Sequence, residues 1–376
     1  MRPKFYILLI FTAVFSNFCK AQQNLNTDSL IRIINEAEAA KRARRWKVYP
    51  LIAATPETSW MFGVMAAKVF GKQDTSAHSA ERVSTYTPFF VYTLRNQFLL
   101  DNQVDYFSLR GWDLSGWLRF AWFPNRFFGI GSYADANSET YTDKQFRFRI
   151  SAGKRVHEKW LPSLVAEVNY DLLKDFEQGL VLDTSDILGE KGGVFWGIGP
   201  SITFDSRNNS VFPEKGGMVR LESVYHPNGL GNDYHSNRFS LDARKYFATG
   251  KKKRNVLAFQ GVFAYNTGND IPFTRLEELG GDTHLRGFHS ERYMDKAMAY
   301  LQAEYRFTIW RIIGMVAFAG IGDVYNDSWD FSNPKYSGGL GLRIQLVPSQ
   351  KLNLRLDYAI GTDLQHGLYF GVKEAF

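Results

Sequence analysis

Arg286 stands in the stretch LEELGGDTHLRGFHSERY, residues 276–293, between Leu285 and a Gly–Phe pair. A guanidinium is a planar fork that can hold a carboxylate by two parallel hydrogen bonds, which fixes direction as well as position. Gly280, Gly281 and Gly287 free the surrounding backbone to turn tightly and to run close against a wall. Phe288 adds an apolar tip. This is the chemistry of a lock, and no reaction centre competes with it. The seven histidines are scattered without H-E-x-x-H or other paired ligand spacing, so no metal or cofactor is expected, and His284 and His289 read as ordinary loop side chains. There is no G-x-S-x-G elbow. The glycines of GGLGL (338–342) precede no helix and so form no phosphate loop. An enzyme is not expected.

A lock needs walls. Side chains alternate faces along a strand. KLNLRLDYAI (351–360) therefore puts Leu352, Leu354, Leu356, Tyr358 and Ile360 on one face and Lys351, Asn353, Arg355, Asp357 and Ala359 on the other. AYLQAEYRF (299–307), GLRIQL (341–346) and QFRFRISA (145–152) repeat the scheme, with one oily and one charged face each. An isolated charge inside a narrow barrel is too costly to leave alone, so an inward arginine must be paired. Glu304 and Asp357 fall on the inward face and are the candidate partners of Arg286, Asp357 being preferred.

The alternation suits a soluble sandwich or a membrane barrel, and three features favour the barrel. Strands are many and no helices remain to cover a sheet. Aromatic residues crowd the strand ends (Trp60, Phe89, Phe90, Trp117, Trp122, Phe127, Phe128 and Phe376), as two interfacial girdles require. The sequence also finishes on a strand-like GLYFGVKEAF, in which Tyr369, Gly371 and Phe376 read as a terminal strand signal. The N-terminal Arg2 and Lys4, the apolar run FYILLIFTAVF and small residues before position 22 read as an export signal over 1–21. Its removal would take away the single cysteine, Cys19, and lower the formal charge from +7 by three to +4, a surplus too small to point to nucleic acid. No apolar run after it is long enough for a membrane-spanning helix. Residues 22–50 are read as a periplasmic segment with a short helix over 28–45 that ends in Lys41, Arg42, Arg44 and Arg45, suited to anionic lipid or a partner. Residues 51–376 form the barrel.

Sixteen strands are expected from residue 59 onward, the first five near 59–70, 83–94, 97–105, 111–123 and 127–137. An even count puts both ends on one side, and the tight turns at 157–160, 248–253 and 347–350 fall there, as periplasmic turns do. The fold class is thus all-β: a sixteen-stranded antiparallel transmembrane barrel with a short N-terminal helix, in the outer membrane.

LGG followed by LRGF and then by a strand ending EYRF resembles the sixth-loop signature of the BamA/TamA-type bacterial surface-antigen superfamily of outer-membrane assembly factors. PETSWMFG (56–63) is similar to that family's first strand, FDSRNNSVFPEKGG (204–217) to its turn motif, and LRLDYAIG with the final EAF to its last two strands. The resemblance implies a loop folded back into the lumen, its arginine meeting an acid on the inner wall. It also implies insertion or translocation of proteins, or of lipids, at the outer membrane. The partners would be outer-membrane lipids, unfolded outer-membrane protein clients and, because no POTRA module fits before the first strand, a separate periplasmic chain. Two positions depart from the pattern: Gly320 stands where the family commonly has an acid, and Asp323 follows three residues later. The physical basis would be a weak seam between first and last strands, whose open edge an incoming strand can join. The alternative is a passive or gated channel for small anionic solutes, suggested by the inward Arg147, Arg149, Arg343 and Arg355.

Overall fold

The computed structural model describes residues 46–55, 59–70, 84–108, 110–133, 138–250, 255–327, 330, 333–347 and 351–376. The expected export signal and basic helix lie outside the described residues. Eleven strands precede the long loop: β1 (Lys47–Thr55), β2 (Ser59–Phe70), β3 (Ser84–Thr93), β4 (Phe98–Phe107), β5 (Trp112–Phe127), β6 (Glu139–Lys154), β7 (Trp160–Lys174), β8 (Gly193–Asp205), β9 (Gly216–His226), β10 (His235–Thr249) and β11 (Asn255–Asp270). The loop carries its own small ribbon, β12 (Glu277–Leu279) with β13 (Tyr293–Asp295). Five strands follow it: β14 (Ala297–Trp310), β15 (Ile313–Tyr325), β16 (Lys335–Val347), β17 (Leu352–Gly361) and β18 (His366–Val372). Apart from the ribbon, all join one sixteen-stranded sheet in chain order, each antiparallel to its neighbours. Among the described residues no ladder joins β1 to β18.

The count of sixteen agrees with the expectation, but two of its members differ. The sheet begins at Lys47, four residues before the expected start of the barrel, so Ser59–Phe70 is the second strand rather than the first. The strand expected at 127–137 is absent from the described residues 128–133: β5 runs on through Pro124 to Phe127, still in register with β6 from Trp112↔Lys154 to Phe127↔Glu139, and the chain then leaves the sheet. Both differences precede the loop, which therefore still joins the eleventh and twelfth strands of the sheet.

The faces of the sheet are inverted relative to a soluble protein. Leu301, Leu340 and Leu368 are 64%, 57% and 62% exposed, while Glu304 and Asp357 are 0% exposed. Apolar side chains that look outward want lipid, and the strands, mostly of 10–16 residues, are long enough to cross it at a tilt. The aromatic girdle is thinner than expected. Trp60, Phe90 and Trp122 face outward and exposed, but Trp117 lines the lumen and Phe127, Phe128 and Phe376 are buried. Among the described residues, no helix is long and apolar enough to cross a membrane.

Candidate functional site

The loop between Asp270 and Ala297 returns into the sheet's concave side. Gly280, at φ +125°, receives the carbonyl of His289 so closely that a Cβ there would lie 2.1 Å from it, and its N–H donates to His284 O at 2.6 Å. Gly281 N–H donates to Phe288 O at 3.1 Å, which closes the tip. Gly287, at φ +121°, brings the backbone against β17, where a Cβ would sit 2.9 Å from Gly361 N. Gly361 in turn leaves room for the Phe288 ring, since its own Cβ would meet that ring at 2.5 Å. Phe288 packs with Leu279, Leu285, Tyr293, Met298 and Tyr300 in a small apolar cluster under the tip.

Arg286 lies beyond this cluster with its side chain fully enclosed. Its Nη2 donates to Glu304 Oε1 at 2.5 Å and its Nη1 to Asp357 Oδ2 at 2.5 Å, so both candidate acids are engaged, on β14 and on β17. The guanidinium also lies 3.6 Å from the centre of the Phe318 ring. The other oxygen of Glu304 accepts from Arg306 Nε at 2.8 Å, and the other oxygen of Asp357 from Arg343. Arg343 Nε reaches Glu374 Oε2 at 2.7 Å, which lies 3.9 Å from Arg306 Nε. Three arginines and three carboxylates thus alternate around a closed ring: Arg286, Asp357, Arg343, Glu374, Arg306, Glu304. Six buried charges sum to zero, which is the condition on which such a network is tolerated.

Glu374 was not among the expected site residues, and it enters because β18 stops at Val372. The chain turns inward there: Lys373 (φ +72°) donates to Asp105 Oδ2 on β4 at 2.7 Å, and Phe376 packs on Tyr246, Val256 and Ala258 while its carbonyl accepts from Arg306 Nη2 at 2.9 Å. Phe376 is therefore no part of the last strand and faces no lipid, a correction to the reading of a terminal strand signal. A signal for this existed. Leu368 and Phe370 alternate outward, so continuing the strand would have put the Glu374 carboxylate on the lipid face. Tyr369 and Gly371 do lie on β18, pointing inward. The Tyr369 hydroxyl accepts from Gly287 N–H at 2.9 Å and donates to Phe288 O at 3.0 Å, and a Cβ on Gly371 would press on the Arg355 guanidinium at 3.1 Å.

Gly320 and Asp323 have separate explanations. A Cβ at Gly320 would lie 2.6 Å from Leu285 Cδ1, so the missing acid makes space for the loop. Asp323 does not replace it: it accepts from Ser132 Oγ at 2.5 Å and pairs with Lys335 Nζ at 3.5 Å, beside the point where the loop rejoins the sheet. A second loop anchor went unforeseen. Glu291, at φ +61°, accepts from Asn125 at 3.0 Å and from the Tyr141 hydroxyl at 2.9 Å on the far wall. Burial, then the nearby Glu278 carboxylate, pushes this loop residue's carboxyl up to about 7. His284 and His289 remain loop side chains, His284 stacking near Tyr300 and His289 near Phe128.

The arginines that suggested an anion channel are all occupied. Arg147 faces Asp171 at 3.6 Å, Arg149 holds Glu167 and Glu222, Arg343 is in the ring, and Arg355 holds Asp282 at 2.9 Å.

Compared with known proteins, residues 73–376 match the Omp85 superfamily domain. BamA from Haemophilus ducreyi lacking POTRA domains 1-3 superposes with a TM-score of 0.55 at 14% identity, over 87% of this chain and 69% of that one. CdiB from Escherichia coli gives 0.55 at 9%, over 87% and 61%, and CdiB from Acinetobacter baumannii gives 0.51 at 12%, over 92% and 68%. The chain thus covers 61–69% of the length of these proteins, and the likeness is one of fold. No curated protein sequence matches it. A sixteen-stranded sheet with lipid-suited exterior, an inward loop bearing Leu-Arg-Gly-Phe and a match over most of the sequence lead to one assignment: the chain belongs to the Omp85 superfamily.

Proposed function

We propose that this outer-membrane barrel assists the insertion or translocation of proteins, or of lipids, across the seam between β1 and β18. The observation that carries the reading is that β1 and β18 each pair on one side alone among the described residues, whereas every strand between them pairs on both. An unpaired edge offers a row of free N–H and C=O groups, and in a membrane such groups must find partners or pay several kcal/mol each. A client strand supplies them. β18 is the weaker side, with seven residues paired to β17, against ten-residue β17 itself. The loop lock serves this function by bracing β14, β17 and β18 from inside, so that the seam opens at β18 without collapse of the wall behind it. A separate periplasmic chain would deliver clients, and a pull-down from membranes returning no partner counts against that element.

The test is a folding assay in liposomes. A urea-denatured outer-membrane barrel should fold faster into vesicles that contain this protein than into empty ones. A variant with cysteines at Val48 and Leu368, and Cys19 replaced by Ser, should lose that acceleration when a bifunctional thiol reagent bridges the seam. Equal folding in protein-containing and empty vesicles rejects the proposal.

A further inference from the structure

The lumen holds two neighbouring cavities. One, of about 520 Å³, lies at the end of the sheet where β1 begins and β18 finishes; the other, of about 590 Å³, lies beneath the loop. Five residues line both: Trp117, Arg149, Arg220, Glu222 and Arg244. They stand where the two cavities adjoin.

The charges around the first cavity pair off with one exception. Arg149 holds Glu222, Arg155 holds Asp113, Arg207 holds Asp205 at 2.9 Å, Arg244 holds Asp242 at 2.5 Å, and Lys373 holds Asp105 at 2.7 Å. Arg220 has no carboxylate partner among the described residues. The reason lies in the register. Its neighbour on β10 is Asp242, whose carboxylate is already taken by Arg244 and by Gln260 at 3.0 Å, and its neighbour on β8 is Thr203. Arg220 Nε donates to Thr203 Oγ1 at 3.2 Å, which leaves both terminal nitrogens without an acceptor among the described residues. The residue is exposed to the lumen, with Arg244 and Arg207 near it as well as the already paired Asp242 and Glu222.

We propose that Arg220 is the centre of an anion site where the two cavities adjoin, taking a phosphate-type oxyanion that enters from the end of the sheet carrying the short turns. The free half of a guanidinium fork matches two oxygens of such a group. The anion would supply the one negative charge that this wall lacks. The hydroxyls of Ser151 and Ser201, which line the same cavity, bear no hydrogen bond among the described residues and give further donors. The site does not depend on the seam, and it would persist in a protein whose edge strands were bridged.

The test uses the whole chain, refolded in detergent micelles, with inorganic phosphate titrated by calorimetry. Saturable binding is expected in the parent, weakened at least about tenfold in R220Q, since one charge-assisted hydrogen bond contributes about 1.5–3 kcal/mol. K191Q, which removes an exposed loop cation, should bind as the parent does. R220K, which keeps the charge but loses the fork, should fall between, and it stands in if R220Q fails to fold by gel mobility. A parallel titration with dihexanoyl phosphatidic acid separates sources: tighter binding than inorganic phosphate assigns a lipid headgroup, equal or weaker binding a free ion. No saturable phosphate binding in the parent, or binding unchanged in both R220Q and R220K, overturns the proposal.

Discussion

Replacing Arg286 by Met tests the ring of six charges directly. The substitution keeps much of the side-chain bulk and removes one of three positive charges, leaving Glu304, Asp357 and Glu374 against Arg306 and Arg343. Removing one partner of a buried pair costs about 3–5 kcal/mol. The lower figure applies here, because Glu304 keeps Arg306 at 2.8 Å and Asp357 keeps Arg343. Loss of the stacking on Phe318 adds about 1 kcal/mol. A total of about 4 kcal/mol, at about 1.4 kcal/mol per tenfold, shifts the docked-to-undocked ratio of the loop by roughly a thousandfold. The double variant R286M/E304Q leaves two arginines and two carboxylates, so charge balance returns and part of the loss, about 2 kcal/mol, should be regained. Amide hydrogen exchange over residues 280–295 in nanodiscs reads this equilibrium. The expected order of protection is parent, then double variant, then single variant. If R286M exchanges within about tenfold of the parent, or if the double variant is more open than the single, the ring does not hold the loop and the electrostatic reasoning is wrong.

Other outcomes follow from the same geometry. F376A should release the inward tail, at a cost of about 3–5 kcal/mol for emptying the site on Tyr246, Val256 and Ala258; an A375C thiol, slow to label with maleimide in the parent, should label quickly beside it. G320D should weaken loop docking by at least about 1–3 kcal/mol, because the new Cβ would lie 2.6 Å from Leu285, and hydrogen exchange in the loop should rise accordingly. The Glu291 carboxyl, raised to about 7 in the docked loop from an ordinary 4.5, binds its proton more tightly docked than free. Docking is therefore strongest below about pH 4.5, weakens as pH rises to about 7 and is level above that, by at most about 3 kcal/mol. E291Q should flatten this slope in a pH series of exchange measurements; an unchanged slope would assign the pH dependence to other groups.

Much of the architecture was legible because a strand's period of two is rigid. Once KLNLRLDYAI is read as a strand with its leucines in lipid, Asp357 has only one direction left, and the same holds for Glu304 in AYLQAEYRF. The glycines around Arg286 were legible for a related reason: positive φ and close backbone approach tolerate little else. β1 was missed because KVYPLIAAT is apolar on both faces and carries a proline, so it shows no period at all. The strand expected at 127–137 failed on the opposite fault: Phe127 and Phe128 look like girdle residues, and only their packing against Phe273 and His289 of the loop shows that they turn inward.

Periodicity decides which face a side chain takes, and it did so here for the acids and the lipid surface. It says nothing of which inward charge meets which, because that depends on how the curved sheet brings together strands far apart in sequence. Only the tertiary structure could show that Arg147, Arg149, Arg343 and Arg355 are all spoken for, that Glu374 leaves the last strand to complete a ring with Arg306 and Arg343, and that Arg220, an unremarkable residue in GMVRLES, is left over because Arg244 reached Asp242 first. Pairing in a lumen is a competition among neighbours in three dimensions, and a linear pattern records the competitors but not the winner.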